Sequence, residues 1–218
     1  MNPAQRIQER IADDEPITWS FLGDSVTAAS WHTWGGRGFA ELLHERLREM
    51  RRTLDLVINS GVSGWELTDN AQMLERICLQ LKPDIVVITT GINDTRQRAE
   101  GIPAFKKLYL EVIERIHSEV GAEIVVQTPN GTLPTGPDHV VEHLEAYVEA
   151  VREVAAAADT MLVDQYAHWE VTDVASTFHW LGHGCHPNAY GHRAMARLLM
   201  QELGIWNDDS RTAKLLIP

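Results

Sequence analysis

Apolar residues follow two rhythms along the chain, short continuous runs and longer stretches spaced three and four apart. The runs are Ile17-Thr18-Trp19-Ser20-Phe21-Leu22, Leu54-Asp55-Leu56-Val57-Ile58-Asn59, Asp84 to Thr90 around Ile85-Val86-Val87-Ile88, Ile124-Val125-Val126 and Met161-Leu162-Val163. Each is bounded by turn residues and reads as a strand. The third is the most continuous, which predicts a central strand covered on both faces.

Helical spacing fills the intervals. Asn2 to Asp13 reads as a short helix with Pro3 near its start and Ile7 and Ile11 on one face. Phe39, Leu42, Leu43, Leu47 and Met50 predict a second helix, and Leu67, Ala71, Leu74, Ile77, Cys78 and Leu81 a third, stopped by Pro83. Phe105 to Val120 is a long helix closed by Gly121. Further helices are expected from about Asp138 to Ala158 and from about Asn188 to Leu203. Strand and helix alternating in this way predict an α/β fold, a three-layer α/β/α sandwich on a five-stranded parallel sheet. Right-handed crossovers leave few topologies, and the flavodoxin-like order 2-1-3-4-5 is the expected one.

The 218 residues, 44% of them hydrophobic, suit one domain spanning 1–218. Lys and Arg number 19 against 31 Asp and Glu, a net charge of −12. That sign disfavours nucleic acid and anionic membranes as partners. Met1 to Pro16 lacks the apolar core of a signal peptide, and no run reaches the roughly 20 apolar residues of a membrane span. A soluble cytoplasmic protein is therefore expected, with a trimmed secreted form as the alternative. Cys78 and Cys185 make no disulfide framework. The apolar tail Ala213 to Pro218 is expected to pack on its own domain or, in a homo-oligomer, against another subunit.

The residues just past the strands carry the chemistry. Ser25 comes after the first, Gly61 and Gly64 after the second, Asn93 after the third, and His186-Pro187-Asn188 stands before the last helix. All strand C-termini of a parallel sheet lie on one edge, where such folds place their ligands. Serine needs a base such as histidine to become a nucleophile. A tetrahedral intermediate needs N–H donors for its oxyanion, which glycine backbone and an asparagine amide can supply.

Four blocks, Gly23-Asp24-Ser25, Asn59-x-Gly61-x-x-Gly64, Gly91-x-Asn93-Asp94 and His186-Pro187-Asn188-x-x-Gly191, make the chain resemble the SGNH (GDSL) hydrolases. The resemblance implies a serine esterase that needs no cofactor. Ser25 would be nucleophile and, through its N–H, one oxyanion donor. Gly64 would give a second N–H, Asn93 a side-chain donor, and His186 the base.

There are two departures. Valine follows Gly-Asp-Ser where the family has leucine, a minor change. The family's aspartate, three residues before the histidine, is here His183. A carboxylate at that place fixes the imidazole tautomer, and losing it in a well-studied triad costs about 10⁴ in rate. Three replacements are open: the His183 carbonyl, the His183 ring, or an acid from elsewhere (Asp164, Glu170 or Asp173). The carbonyl is favoured because it needs only the local turn. A histidine base then predicts activity rising near pH ~6.5 if unperturbed.

Asp24 and Asp94 read as turn carboxylates bonding backbone N–H groups. Ser63 is a turn serine, since Gly61-Val62-Ser63-Gly64 is not a nucleophile elbow. His179, His183, Cys185, His186 and His192 crowd one segment, but their spacing matches no standard metal pattern, so no metal is expected. Trp31, Trp34, Trp65 and Trp180 fall in loops expected to border the site. There they either anchor the loops or narrow an acyl pocket and offer flat faces to a sugar. The expected function is removal of a small acyl group, such as acetyl, from a carbohydrate or similar alcohol. The same site could instead serve a lysophospholipid, thioester or aryl ester, and a catalytically weakened glycan-binding module is the non-enzymatic reading.

Overall fold

The computed structural model describes residues 1–170 and 178–216. Helix α1 (Pro3–Ala12) starts where the Asn2 side chain accepts from Gln5 N–H at 2.8 Å, and it buries Ile7 and Ile11. Strand β1 (Thr18–Gly23) leads into a four-residue helix, α2 (Ser25–Ala28), then α3 (Phe39–Glu49). Strand β2 (Leu56–Asn59), α4 (Leu67–Ile77) and β3 (Ile85–Thr89) follow, then α5 (Ile102–Val120), β4 (Glu123–Gln127), α6 (Asp138–Ala157) and β5 (Met161–Val163). A short helix α7 (Gln165–Glu170), a hairpin of β6 (Leu181–His183) and β7 (His186–Pro187), α8 (Ala189–Glu202) and α9 (Arg211–Leu216) complete the described chain.

The main sheet has the order β2-β1-β3-β4-β5 with every pairing parallel, as the alternation of runs and helices predicts. Alternate residues of its strands face opposite layers, the period-two rule at work. Ile85 and Val87 of β3 join Trp19 and Phe21 under α1, α3 and α8, while Val86 and Ile88 join Leu22 under α4, α5 and α6. Both faces of the central strand are thus buried.

The second strand is shorter than its apolar run. The run reads from Leu54, but β2 begins at Leu56, because the buried Asp55 carboxylate accepts from Ile17 N–H at 3.1 Å and pairs with Arg52 at 2.7 Å. An edge position leaves Leu54 and Leu56 exposed. The third helix also stops early. It ends at Ile77, and Leu79–Leu81 continues as a 3₁₀ turn before Pro83. The C-terminal segment packs on its own chain at Ala213, since Glu49 of α3 accepts from the N–H groups of Arg211 and Thr212. Among the described residues, no helix is long and apolar enough to cross a membrane.

Candidate active site

Ser25 sits where β1 runs out at the C-terminal edge of the sheet, as the first residue of α2. The Asp24 carboxylate caps that helix, accepting from Val26 N–H at 2.8 Å. The strand can turn this tightly because Gly23 carries no Cβ. One built there would lie 2.3 Å from both Thr27 Oγ1 and the Thr89 carbonyl.

From the far end of the chain, the β6–β7 hairpin brings His186 to the serine. Ser25 Oγ and His186 Nε2 are 2.7 Å apart, a hydrogen bond spanning 161 positions of sequence. Three supports fix the hairpin. Gly184 O accepts from Leu133 N–H at 2.7 Å and from Thr132 Oγ1 at 2.7 Å. Asn130, fully buried, donates through Nδ2 to the Cys185 carbonyl at 3.1 Å. Behind it, Asn188 caps α8 by accepting from Tyr190 and Gly191 N–H at 2.8 and 3.2 Å.

The second and third blocks are tied to each other and to α2. Asn59 donates to the Thr27 carbonyl at 2.9 Å, and Gly61 leaves no room for a side chain beside Thr27 and Ala28. Asn93 Nδ2 donates to the Trp65 carbonyl at 2.9 Å, which leaves its second amide hydrogen to spare. Asp94 joins the two loops, accepting from Leu67 N–H at 2.9 Å and Gly91 N–H at 3.1 Å. Asp24 and Asp94 therefore hold backbone N–H groups, as turn carboxylates should. Burial pushes them up, to about 7 and about 6 respectively. Gly64 has φ +85°, and nothing lies within 4 Å of where its Cβ would be, so that side of its Cα faces open space. Arg96, which no motif in the sequence singles out, donates to the Gly64 carbonyl at 3.3 Å. Among the described residues, neither Ser25 N–H nor Gly64 N–H has a partner within the chain.

The far side of His186 departs from expectation. Its Nδ1 lies 3.5 Å from Cys185 Sγ, its one hydrogen-bond contact there among the described residues, so the favoured His183 carbonyl is not the partner. Asp164 is committed elsewhere, to Arg152 at 2.8 Å and to the N–H of Ala167 at 3.0 Å. Glu170 acts on Tyr166, and Asp173 lies outside the described residues. With Nε2 accepting from serine, Nδ1 carries the proton and donates to sulfur, a weak and neutral acceptor. Burial raises the Cys185 thiol to about 11, so it stays protonated.

Two more imidazoles surround the base. The His32 ring stacks on His186 with centroids 3.6 Å apart and planes 16° off parallel, and the His183 ring is tilted against it at 4.5 Å. Burial, reinforced by the charges His32 and His183 would carry, lowers His186 to about 3. The rise near pH ~6.5 expected for an unperturbed histidine is therefore replaced by a base that is neutral across the physiological range. The histidine-rich segment does not act as one cluster. His192 is buried against Phe39, and the His179 backbone carbonyl accepts from Asn188, while His32, from the loop after α2, joins His183 and His186 instead.

A cleft of about 440 Å³ opens beside the base, lined by Ser30, Trp31, His32, Trp34, Gly182 and His183. Trp31 and Trp34 are 82% and 93% exposed on its wall. Trp65 is half-buried, and it is its backbone that meets Asn93. Trp180 is an anchor rather than an open face, packed on the core and set edge-on to Trp169 at 5.0 Å.

Comparisons with known proteins show the family and the fold. The model of the GDSL-like lipase/acylhydrolase family matches residues 21–194. An acetylxylan esterase of Geobacillus stearothermophilus is 26% identical over 203 residues, covering 84% of this chain and 92% of its own. Its crystal structure superimposes with a TM-score of 0.73, at 23% identity, over 86% of this chain and 94% of that one. Catalytic mutants of that esterase replace a serine, a histidine and an aspartate, the aspartate three positions before the histidine. An α/β hydrolase from the metagenome of Lake Arreo, Spain, superimposes at TM-score 0.70 and 24% identity over 89% and 99% of the two chains. The chain belongs to the GDSL-like lipase/acylhydrolase family and is a carboxylic ester hydrolase.

Proposed function

We propose that residues 1–218 form one domain that cleaves short-chain esters, acetyl esters of carbohydrates foremost, through an acyl-Ser25 intermediate. The observation that carries this reading is the 2.7 Å contact between Ser25 Oγ and His186 Nε2 at the sheet edge. As Ser25 Oγ bonds to the ester carbonyl carbon, its proton passes to His186 Nε2. The N–H groups of Ser25 and Gly64 and the free amide hydrogen of Asn93 receive the oxyanion. Collapse of the intermediate expels the alcohol, which takes the proton back from His186. A water then repeats the sequence on the acyl-enzyme.

Sugar as the leaving group is supported by the cleft. Trp31 and Trp34 offer flat apolar faces to solvent, which sugar rings can stack on, and the Geobacillus relative is an acetylxylan esterase. The test is steady-state hydrolysis of p-nitrophenyl acetate, longer p-nitrophenyl esters and acetylated xylo-oligosaccharides, each with the Ser25→Ala variant as control. Preference for acetyl and for the oligosaccharide supports the proposal. Preference for long acyl chains or for a lysophospholipid moves the same site to the other substrate class. Equal rates for wild type and Ser25→Ala would leave a glycan-binding module.

Three further results are expected. Asn93→Ala should lower kcat by about 10²–10³, with KM within a few-fold, as removal of one oxyanion donor does. Trp34→Ala should raise KM for the oligosaccharide about fivefold while leaving p-nitrophenyl acetate unchanged, since one stacking face is worth on the order of 1 kcal/mol. The pH profile of kcat/KM should show no limb from His186 near 6.5, because the lowered base is already neutral there. Activity is kept above its pKa and lost only as pH falls toward about 3. A step near 7 would belong to Asp24, and Asp24→Asn would remove it.

A further inference from the structure

We propose that His32, His183 and His186 form a binding site for a divalent transition metal, zinc by its ligand chemistry, and that occupation of this site switches the esterase off. The switching half rests on His186 being the base; the binding half does not. Each residue offers one ring nitrogen, and the three nitrogens lie within 4.8 Å of one another. They come from two remote parts of the chain, the loop after α2 and the two strands of the β6–β7 hairpin. His183 is exposed and His32 is half-buried on the cleft wall, so an ion can enter from solvent.

Three imidazoles with a fourth position open to the cleft form a donor set that suits zinc, copper or nickel rather than magnesium or calcium. Tetrahedral zinc with Zn–N of about 2.0–2.1 Å holds its ligand nitrogens about 3.4 Å apart. The closure required is on the order of 1 Å, within reach of side-chain rotation. The position three residues before the base, where the family resemblance expects aspartate, is here His183, and its ring supplies one of the three donors.

Inhibition results whichever nitrogen of His186 the metal takes. A neutral imidazole has one lone pair and one N–H. Coordination through Nε2 removes the acceptor that faces Ser25 Oγ. Coordination through Nδ1 places the proton on Nε2, which can then donate to the serine but cannot take its proton. No covalent bond of the protein is broken, so a chelator restores the free base.

The experiment titrates metal-free wild-type protein with Zn²⁺ against a chromophoric chelator, with the visible spectrum of Co²⁺ as a second probe. Hydrolysis of p-nitrophenyl acetate is followed in parallel. One ion per chain is expected, with a tetrahedral Co²⁺ spectrum and loss of most esterase activity over the same concentration range, reversed by EDTA. His32→Phe keeps an aromatic ring against His186 but removes a ligand nitrogen. It and His183→Ala should each weaken binding by more than the roughly 10–100-fold that an outer-shell partner carries. Inhibition, scaled to each variant's own metal-free rate, should shift by the same factor. The proposal is overturned if no saturable binding is found, or if metal raises the rate. It is equally overturned if binding survives His32→Phe but is lost in His139→Ala, which would move it to the His139–His143 pair one helical turn apart on α6. Wild-type turnover by Ser25→Ala would defeat the serine reading and the switching half with it, while the titration alone still decides whether the site exists.

Discussion

Replacing His183 by aspartate is expected to raise kcat for p-nitrophenyl acetate by about 10²-fold or more. A carboxylate beside the outer nitrogen of a catalytic imidazole holds the tautomer and stabilises the imidazolium formed as serine gives up its proton, and its loss costs about 10⁴ elsewhere. In this chain that nitrogen faces the neutral sulfur of Cys185 at 3.5 Å, and the closest rings are further imidazoles. Among the described residues, none of these neighbours favours a positive charge. The same substitution should move the acid limb of the pH profile upward, because an adjacent carboxylate favours the protonated ring. Activity at pH 5 would then fall relative to pH 8, whereas in the wild type His186 contributes no difference between the two. A gain in rate with no movement of the acid limb would mean that the introduced carboxylate acts on folding or substrate binding rather than on the base.

Ser25→Ala should lower kcat by about 10²–10³, far less than the roughly 10⁶ lost when the serine of a complete triad is removed. Much of that larger figure depends on a carboxylate, whose share is about 10⁴. With no carboxylate on His186 among the described residues, the Ser25–His186 pair has correspondingly less to lose. In the His183→Asp background the gap between serine and alanine should widen by the factor that the new carboxylate contributes, since the three groups act as a unit. A Ser25→Ala loss near 10⁶ in the wild type would show that a group already does the work of the acid, and Asp173→Ala would then tell that carboxylate from Cys185 and His183.

The sheet was readable because each strand is a bounded apolar run and each crossover a helical one. The first three blocks were readable because a parallel sheet delivers every strand end to one edge, and the fourth because it stands just before the last helix. Four features were not. Helix α2 is four residues long, too short for any period, although Asp24 before Ser25-Val26-Thr27 is a cap signal. The β6–β7 hairpin has strands of three and two residues, below the length at which alternation shows. His32 reaches the base only through tertiary packing, so no spacing along the chain links it to His183 and His186. Cys185 adjoins His186 in sequence, but adjacency does not say which way a buried thiol points. Its bearing on the base emerges only from the 3.5 Å contact. The tryptophans divide for a similar reason, since exposure at Trp31 and Trp34 and burial at Trp180 depend on what packs above each.

Trapping with a fluorophosphonate, read by intact mass and peptide mapping, addresses covalent catalysis by Ser25 directly. One phosphonyl group on Ser25 is expected, with loss of esterase activity in step with labelling. Labelling should be absent in Ser25→Ala and at least about tenfold slower in His186→Ala, because the alcohol then lacks its base. Wild-type protein that continues to hydrolyse acetyl esters after full exposure to the reagent, with Ser25 unmodified, would contradict an acyl-serine mechanism.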